Sequence, residues 1–227
     1  MKYRYENPIE MHRGTHYGNN YWEVYSKKVN RKVRFFSNLE YENFLSLEMN
    51  PGVEYFCEQP VEVEVFINGD KKKTVFDMWV KYKDGREEYQ EVKYSLELIG
   101  NDEKSIRTQN QIEAQKKWCS ENGQNHVIRT ENEIHTGIFK VRNLKYIAGK
   151  IRRYNCLDSN SYKHALLNCL KEKSKITVQD IINSKILPEG REMEFICLMY
   201  YFGNISIEIE DKPICKDTGV SLWHQRN

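Results

Sequence analysis

Two carboxylates and a lysine, Asp77, Glu91 and Lys93, sit in two consecutive β-like runs of this chain. The set suits hydrolysis of a phosphodiester. That reaction needs an in-line water and neutralisation of charge on the attacking and leaving oxygens. Mg²⁺ does both, held by a few carboxylate oxygens while it keeps waters and takes phosphate oxygens. Lys93 would hold the attacking water and stabilise its deprotonated form. An ordinary amphipathic hairpin with a solvated polar face meets the same spacing.

The elements that position these groups are legible around them. Val75 to Tyr82 alternates and is rich in aromatic and branched residues, which predicts a strand. Asp84-Gly85 is a turn signal and Arg86 to Tyr94 reads as the returning strand. Glu91 and Lys93 are two apart, so they share a face. A tight Asp-Gly hairpin would pair Asp77 with Val92 and Met78 with Glu91. A loop one residue longer pairs Asp77 with Lys93, Trp79 with Glu91, Met78 with Val92 and Phe76 with Tyr94. The second register separates acids and lysine from the apolar side chains, and it is the expectation here.

The chain has 227 residues, enough for one large domain or two small ones. Formal net charge is +2 and the pI about 8.1, so bulk charge neither demands nor excludes nucleic acid. Local clusters are basic: Lys27-Lys28, Arg31-Lys32-Val33-Arg34, Lys71-Lys72-Lys73 and Arg152-Arg153. With Tyr25, Phe35 and Phe36 interleaved, the first of these would suit a phosphate backbone, and a solvated loop equally. The six cysteines, Cys57, Cys119, Cys156, Cys169, Cys197 and Cys215, form no CxxC pair and no zinc spacing. Reduced thiols, no apolar leader and no membrane-length apolar run predict a soluble cytoplasmic protein.

Along the chain, residues 1–36 read as a basic and aromatic arm. A helix starts at Ser37 with Tyr41, Phe44 and Leu45 on one face and ends at Asn50-Pro51-Gly52. Val61 to Ile67 alternates as a strand, and Asn68-Gly69-Asp70 turns it into the lysine run. A second helix runs from about Gln109 to Asn122, and His126 to Arg129 is a further strand. This α+β pattern fades near Gly137, and the domain is set at residues 37–150.

Residues 151–227 have another pattern. Tyr162 to Leu170 has helical spacing, Thr177-Val-Gln-Asp180 opens a short helix, and Met193 to Tyr201 lines a third, ended by Gly203. Ile205, Ile207 and Ile209 then alternate with acids, turn at Asp211-Lys-Pro213 and return through Val220 and Leu222. Three helices and a hairpin outline a winged helix. Its charges oppose DNA reading: Glu192, Glu194, Glu208, Glu210 and Asp211 would face phosphates. Protein binding or structural support is the expectation, with only the loop Lys150-Ile-Arg-Arg153 able to touch a backbone.

Ser37-Asn-Leu-Glu-Tyr-Glu-Asn-Phe-Leu45 and Asn50-Pro-Gly-Val-Glu-Tyr-Phe-Cys-Glu-Gln-Pro60 resemble the TnsA family, endonuclease subunits of heteromeric cut-and-paste transposases. The resemblance continues through Phe76-Asp77, Gln90-Glu-Val-Lys93, Gln111-Ile-Glu113, Ile128-Arg-Thr-Glu131 and the three helices plus hairpin, over nearly the whole chain. It implies a restriction-endonuclease-like (PD-(D/E)xK) N-terminal domain and a winged-helix-like C-terminal domain. It also implies cutting at the 5′ ends of a transposon, with Mg²⁺ as cofactor and Mn²⁺ as a substitute. The implied partners are DNA, an RNase-H-like transposase that cuts and joins the 3′ ends, and an AAA+ ATPase regulator; no membrane is implied.

Carried over by position, Glu40, Asp77, Glu91 and Lys93 are the implied catalytic residues. Glu40, Asp77, Glu91 and Val92 are the implied metal set. The family also places Gln where Glu91 stands, and Phe76 replaces the Pro that often precedes the aspartate. Neither departure removes a catalytic group. Ser37-x-x-Glu40 also spells a capping box, so Glu40 has two readings, helix cap and metal ligand. Trp118 reads as core. His12, His16, His126 and His135 have no nucleophile partner, Gln111 reads as helix surface, and Lys104 and Arg107 as a loop that either meets DNA or is solvated. Two rivals stand beside the transposase reading: a stand-alone restriction or repair nuclease, and a non-catalytic adaptor docking an ATPase onto DNA.

Overall fold

The structure is a computed structural model and describes residues 3–11, 20–67, 69–152 and 160–223. His12, His16, Asn68, Arg153 and Cys156 lie outside the described residues. Two units divide the chain. The first comprises Met1–Glu48 and Gly52–Ile134, the second Met49–Pro51 and His135–Asn227. Among the described residues no helix is long and apolar enough to cross a membrane.

The first unit opens with a hairpin, β1 (Trp22–Ser26) and β2 (Arg31–Phe35), inside the segment expected to be an arm. Val33, Phe35 and Phe36 are buried. Glu48 ties down the hairpin's turn, accepting from Ser26 Oγ at 2.6 Å and the Lys27 N–H at 2.9 Å. Phe35 and Phe36 are core, whereas Tyr25 is exposed. Helix α1 (Asn38–Met49) follows, stacking Phe44 on Phe35 with ring centroids 4.9 Å apart.

Next come β3 (Val53–Glu58), β4 (Glu62–Ile67), β5 (Asp70–Val75), β6 (Met78–Tyr82) and β7 (Glu87–Val92). β4 and β5 form a separate two-stranded sheet. The run read as one strand from Val75 to Tyr82 is therefore broken, with β5 ending at Val75 and β6 starting at Met78. Phe76 causes the break: it is fully buried and packs on Tyr89 and Trp118, leaving Asp77 at the corner.

After β7 come α2 (Ser95–Ile99), α3 (Glu103–Glu121), β8 (His126–Arg129) and α4 (Glu131–Ile134). The main sheet has the order β3-β6-β7-β8, with β8 parallel to β7. α3 begins earlier than expected because Asp102 caps it, accepting from the Lys104 and Ser105 N–H groups. Lys104 and Arg107 are thus helical, paired with Glu97 at 2.7 Å and Glu103 at 2.9 Å.

Neither expected register of the β6–β7 hairpin is the one formed. Met78 pairs Gln90, Trp79 pairs Tyr89 and Val80 pairs Glu88. Lys83-Asp84-Gly85 is the loop, closed by the Tyr82 N–H donating to the Arg86 carbonyl at 2.9 Å. Gly85 has φ +94°, the left-handed conformation that the last position of such a loop demands, and this pins the loop one residue earlier than expected. The parity of the favoured register survives, so Asp77 stays on the face of Glu91. The clean separation does not. Trp79 and Tyr89 share that face, while Glu88 and Gln90 lie on the other, buried and bonded to Tyr82, Arg129 and Asn43.

The second unit holds α5 (Lys140–Arg152), α6 (Asn160–Lys173), β9 (Lys175–Thr177), α7 (Val178–Ser184), α8 (Glu192–Tyr201), β10 (Ile205–Ile207) and β11 (Gly219–Leu222). Its antiparallel sheet has the order β10-β11-β9. The boundary set at residue 150 falls within α5, which packs on α8, so the units divide near residue 135 instead. Lys150 to Arg152 are helix, not loop. Thr177-Val-Gln-Asp180 opens the short helix α7 as expected, and Thr177 caps it in a reciprocal box with Asp180.

Candidate active site

Strand β7 delivers Glu91 near its end and Lys93 one residue past it, where the Lys93 N–H still donates to the Arg129 carbonyl of β8 at 3.1 Å. Glu91 is fully buried, and Lys93 Nζ lies 2.7 Å from its Oε1. That oxygen is buried with no hydrogen bond of acceptable direction.

Asp77 reaches the site from the corner before β6. Its Oδ2 accepts from the Val92 N–H at 2.7 Å, and its carbonyl accepts from the Gln59 N–H at 3.0 Å. Gln59 itself is left-handed at φ 38°. Val92 has no side-chain donor atom, so only its backbone takes part.

Glu40 arrives from the first turn of α1. Ser37 Oγ accepts from the Glu40 N–H at 3.1 Å, and Glu40 Oε2 accepts from the Phe36 N–H at 3.1 Å. Both parts of a helix cap are therefore present, with the carboxylate reaching one residue beyond the box partner. Glu40 is also close enough to Asp77 and Lys93 to feel both charges. The structure thus brings Glu40, Asp77, Glu91 and Lys93 together, and the cap and the cluster coexist at Glu40.

The electrostatics follow from packing three acids, Glu91 fully buried and Glu40 and Asp77 half-buried, around one ammonium. Burial, then the charge of Asp77, pushes Glu40 up to about 8 and Glu91 up to about 7. Burial would lower Lys93, but Glu91, Asp77 and Glu40 together hold it above the ordinary lysine value. Lys93 is therefore a fixed cation at neutral pH, while Glu40 and Glu91 retain protons there that a bound cation would displace.

One residue of the site escaped the sequence reading. Gln115 on α3 is fully buried and its Nε2 donates to Glu91 Oε2 at 2.6 Å. The same amide nitrogen lies 3.2 Å from Thr74 Oγ1 and from the Val75 carbonyl. His126 Nε2 donates to Gln115 Oε1 at 3.1 Å, because an amide oxygen can only accept. Burial, then Lys116, pushes His126 down to about 4, so it is neutral. The available signal was a polar residue in the buried stripe Ser105, Thr108, Ile112, Gln115, Cys119. Gln111, one turn earlier, is only half-buried.

Do these residues fit a divalent cation? Among the described residues no three His, Cys, Asp or Glu groups form a preformed metal cluster. Mg²⁺ does not need one, since one or two carboxylates with waters and phosphate oxygens suffice. Asp77 and Glu91 supply that pair, with a buried Glu91 oxygen that has the Lys93 ammonium 2.7 Å away and no hydrogen bond of acceptable direction. The fit is to a two-carboxylate site. Glu40, engaged by the Phe36 N–H, stands beside it.

Residues 50–131 match the family described as TnsA-like endonuclease N terminal. The match spans Asp77, Glu91, Lys93 and Gln115, and leaves out Glu40. No curated protein matches the chain.

Proposed function

We propose that this chain, whose residues 50–131 match the TnsA-like N-terminal endonuclease family, is the Mg²⁺-dependent subunit that cuts the 5′ ends of a transposon. The observation that carries this reading is the contact of Lys93 with buried Glu91 at 2.7 Å, beside Asp77.

Asp77 and Glu91 would hold Mg²⁺, which when bound supplies charge neutralisation at the phosphate and a more acidic water. The chain's own groups do the rest. Lys93, kept protonated by three carboxylates, cannot take a proton. It acts as a donor, orienting the attacking water and stabilising the oxyanion that forms. The water oxygen bonds to phosphorus and gives up its proton to bulk solvent, the bond to the leaving oxygen breaks, and that oxygen takes a proton from solvent. Gln115 holds Glu91 by one oxygen and leaves the other for the site.

The second unit supports a winged-helix-like assignment through its α6-β9-α7-α8-β10-β11 order and its β10-β11-β9 sheet. Its partners in this reading are the RNase-H-like transposase and the AAA+ regulator, rather than a base sequence. α8 is buried from Phe195 to Tyr201 and opens on Glu192 and Glu194, which suits it to support and not to a DNA groove.

The test is cleavage of labelled transposon-end duplex by the protein with its transposase and ATPase, in Mg²⁺ and in EDTA. The expected result is 5′-strand cutting that needs both Mg²⁺ and this chain. Cutting that persists without this chain would leave it an adaptor.

A further inference from the structure

α8, the helix that a winged-helix reader would lay in a groove, is buried and acidic at its start. An exposed cationic surface of the second unit lies on α5. Its sequence, KVRNLKYIAGKIR, contains no acid. Asn143, Leu144, Ile147, Ala148 and Ile151 are buried. Arg142, Lys145, Tyr146, Gly149 and Arg152 are exposed, at the three- and four-residue spacings that make one stripe along a helix. Lys150 Nζ lies 5.5 Å from the centre of the Tyr146 ring, which adds a further cation at its border.

Gly149 gives the stripe a second peculiarity. A glycine inside a helix costs about 1 kcal/mol relative to alanine. A Cβ there would meet nothing within 4 Å, so packing within the chain does not call for glycine. Close approach of a partner's backbone does. Arg142 to Arg152 spans about 15 Å of helix axis, a length over which duplex DNA presents several phosphates.

We propose that this face of α5 grips the phosphate backbone of duplex DNA. Arg142, Lys145 and Arg152 meet phosphates, the Tyr146 hydroxyl lies between them, and the strand passes closest at Gly149. The choice of DNA over an acidic protein rests on the nuclease reading; the stripe itself does not. Contacts of this kind position a protein on DNA without reading sequence.

The experiment is fluorescence anisotropy of a short mixed-sequence duplex with the full chain, in EDTA so that no cleavage occurs, across a salt series. Two proteins are compared with wild type. One carries Arg142→Ala, Lys145→Ala and Arg152→Ala; the residues are exposed and alanine is the best helix former, so the fold should hold, checked by circular dichroism. A charge control carries Lys171→Ala, Lys173→Ala and Lys216→Ala.

The proposal predicts that the α5 variant loses at least tenfold in affinity and that its log–log salt slope falls by about 2 to 3. The charge control should bind as wild type. An equal loss in the charge control, an unchanged slope in the α5 variant, or no binding by wild type at low salt would overturn it. So would competition by polyglutamate as strong as by duplex at equal charge, which would point to an acidic protein. Because cleavage is not read, failure here leaves the nuclease reading standing, and a failed cleavage assay leaves this one standing.

Discussion

Gln115 Nε2 donates to Glu91 Oε2 at 2.6 Å while His126 Nε2 donates to the same amide's oxygen at 3.1 Å. The histidine thus sets which end of the amide faces the carboxylate. Gln115→Leu would leave a fully buried carboxylate oxygen unpaired, at a cost of about 1–3 kcal/mol. It should also weaken Mg²⁺ binding measured by calorimetry. Gln115→Glu should do worse, placing an acid against an acid. If Gln115→Leu binds Mg²⁺ as wild type does, the amide has no part in positioning Glu91.

His126 makes that arrangement acid-sensitive. Its folded pKa of about 4 lies below its ordinary 6.5. The unfolded chain therefore binds more protons between these values, and stability falls as pH drops from 6.5 through 4. Denaturant unfolding of wild type and His126→Asn should show a shallower loss across that window in the variant. Parallel curves would mean that His126 does not titrate there.

The acids behave in the opposite sense. Glu91 and Glu40 are raised to about 7 and about 8 from 4.5, so their contribution is complete below 4.5 and is lost as pH rises through 7 to 8. Mg²⁺ favours the ionised forms and stabilises the state that binds it. The rise in melting temperature on adding Mg²⁺ should therefore be larger near pH 8 than near pH 5.5. An equal rise at both, or none, would argue against metal binding by these carboxylates.

At Glu40 the helix cap and the acid cluster can be separated by substitution. Glu40→Gln keeps an acceptor for the Phe36 N–H and removes the charge beside Asp77. Stability should hold or rise, and 5′ cleavage should fall. Glu40→Ala should in addition lose about 1 kcal/mol with the cap. Full cleavage by Glu40→Gln would reduce this residue to a cap.

Sequence periodicity located the strand bearing Glu91, the helix bearing Glu40 and the β8 strand, because each has a clear alternation or a cap. The hairpin register was not legible, since Asp84-Gly85 suits both a two-residue and a three-residue loop, and only the φ of Gly85 decides. Phe76-Asp77 looked like strand interior because aromatic residues favour both a strand and a buried corner. Helix α5 was missed because it has no acid in its first turn, and its apolar face hides between cations. Gln115 was hidden by its type: a glutamine on a helix is usually solvated, and only the burial of its neighbours at three- and four-residue spacing marks it out.

If Asp77 and Lys93 form the cutting site for one strand, conservative substitutions at both positions should abolish one set of cuts. Asn at position 77 keeps an oxygen to accept from the Val92 N–H, and Met at position 93 keeps the length of the lysine stem, so both variants should fold. With Mg²⁺, the partner transposase and the ATPase, labelled transposon ends should show no 5′-strand cuts with Asp77→Asn or Lys93→Met, while 3′ cuts persist. Survival of the 5′ cuts in both variants would contradict the account and move the active site away from Asp77 and Lys93.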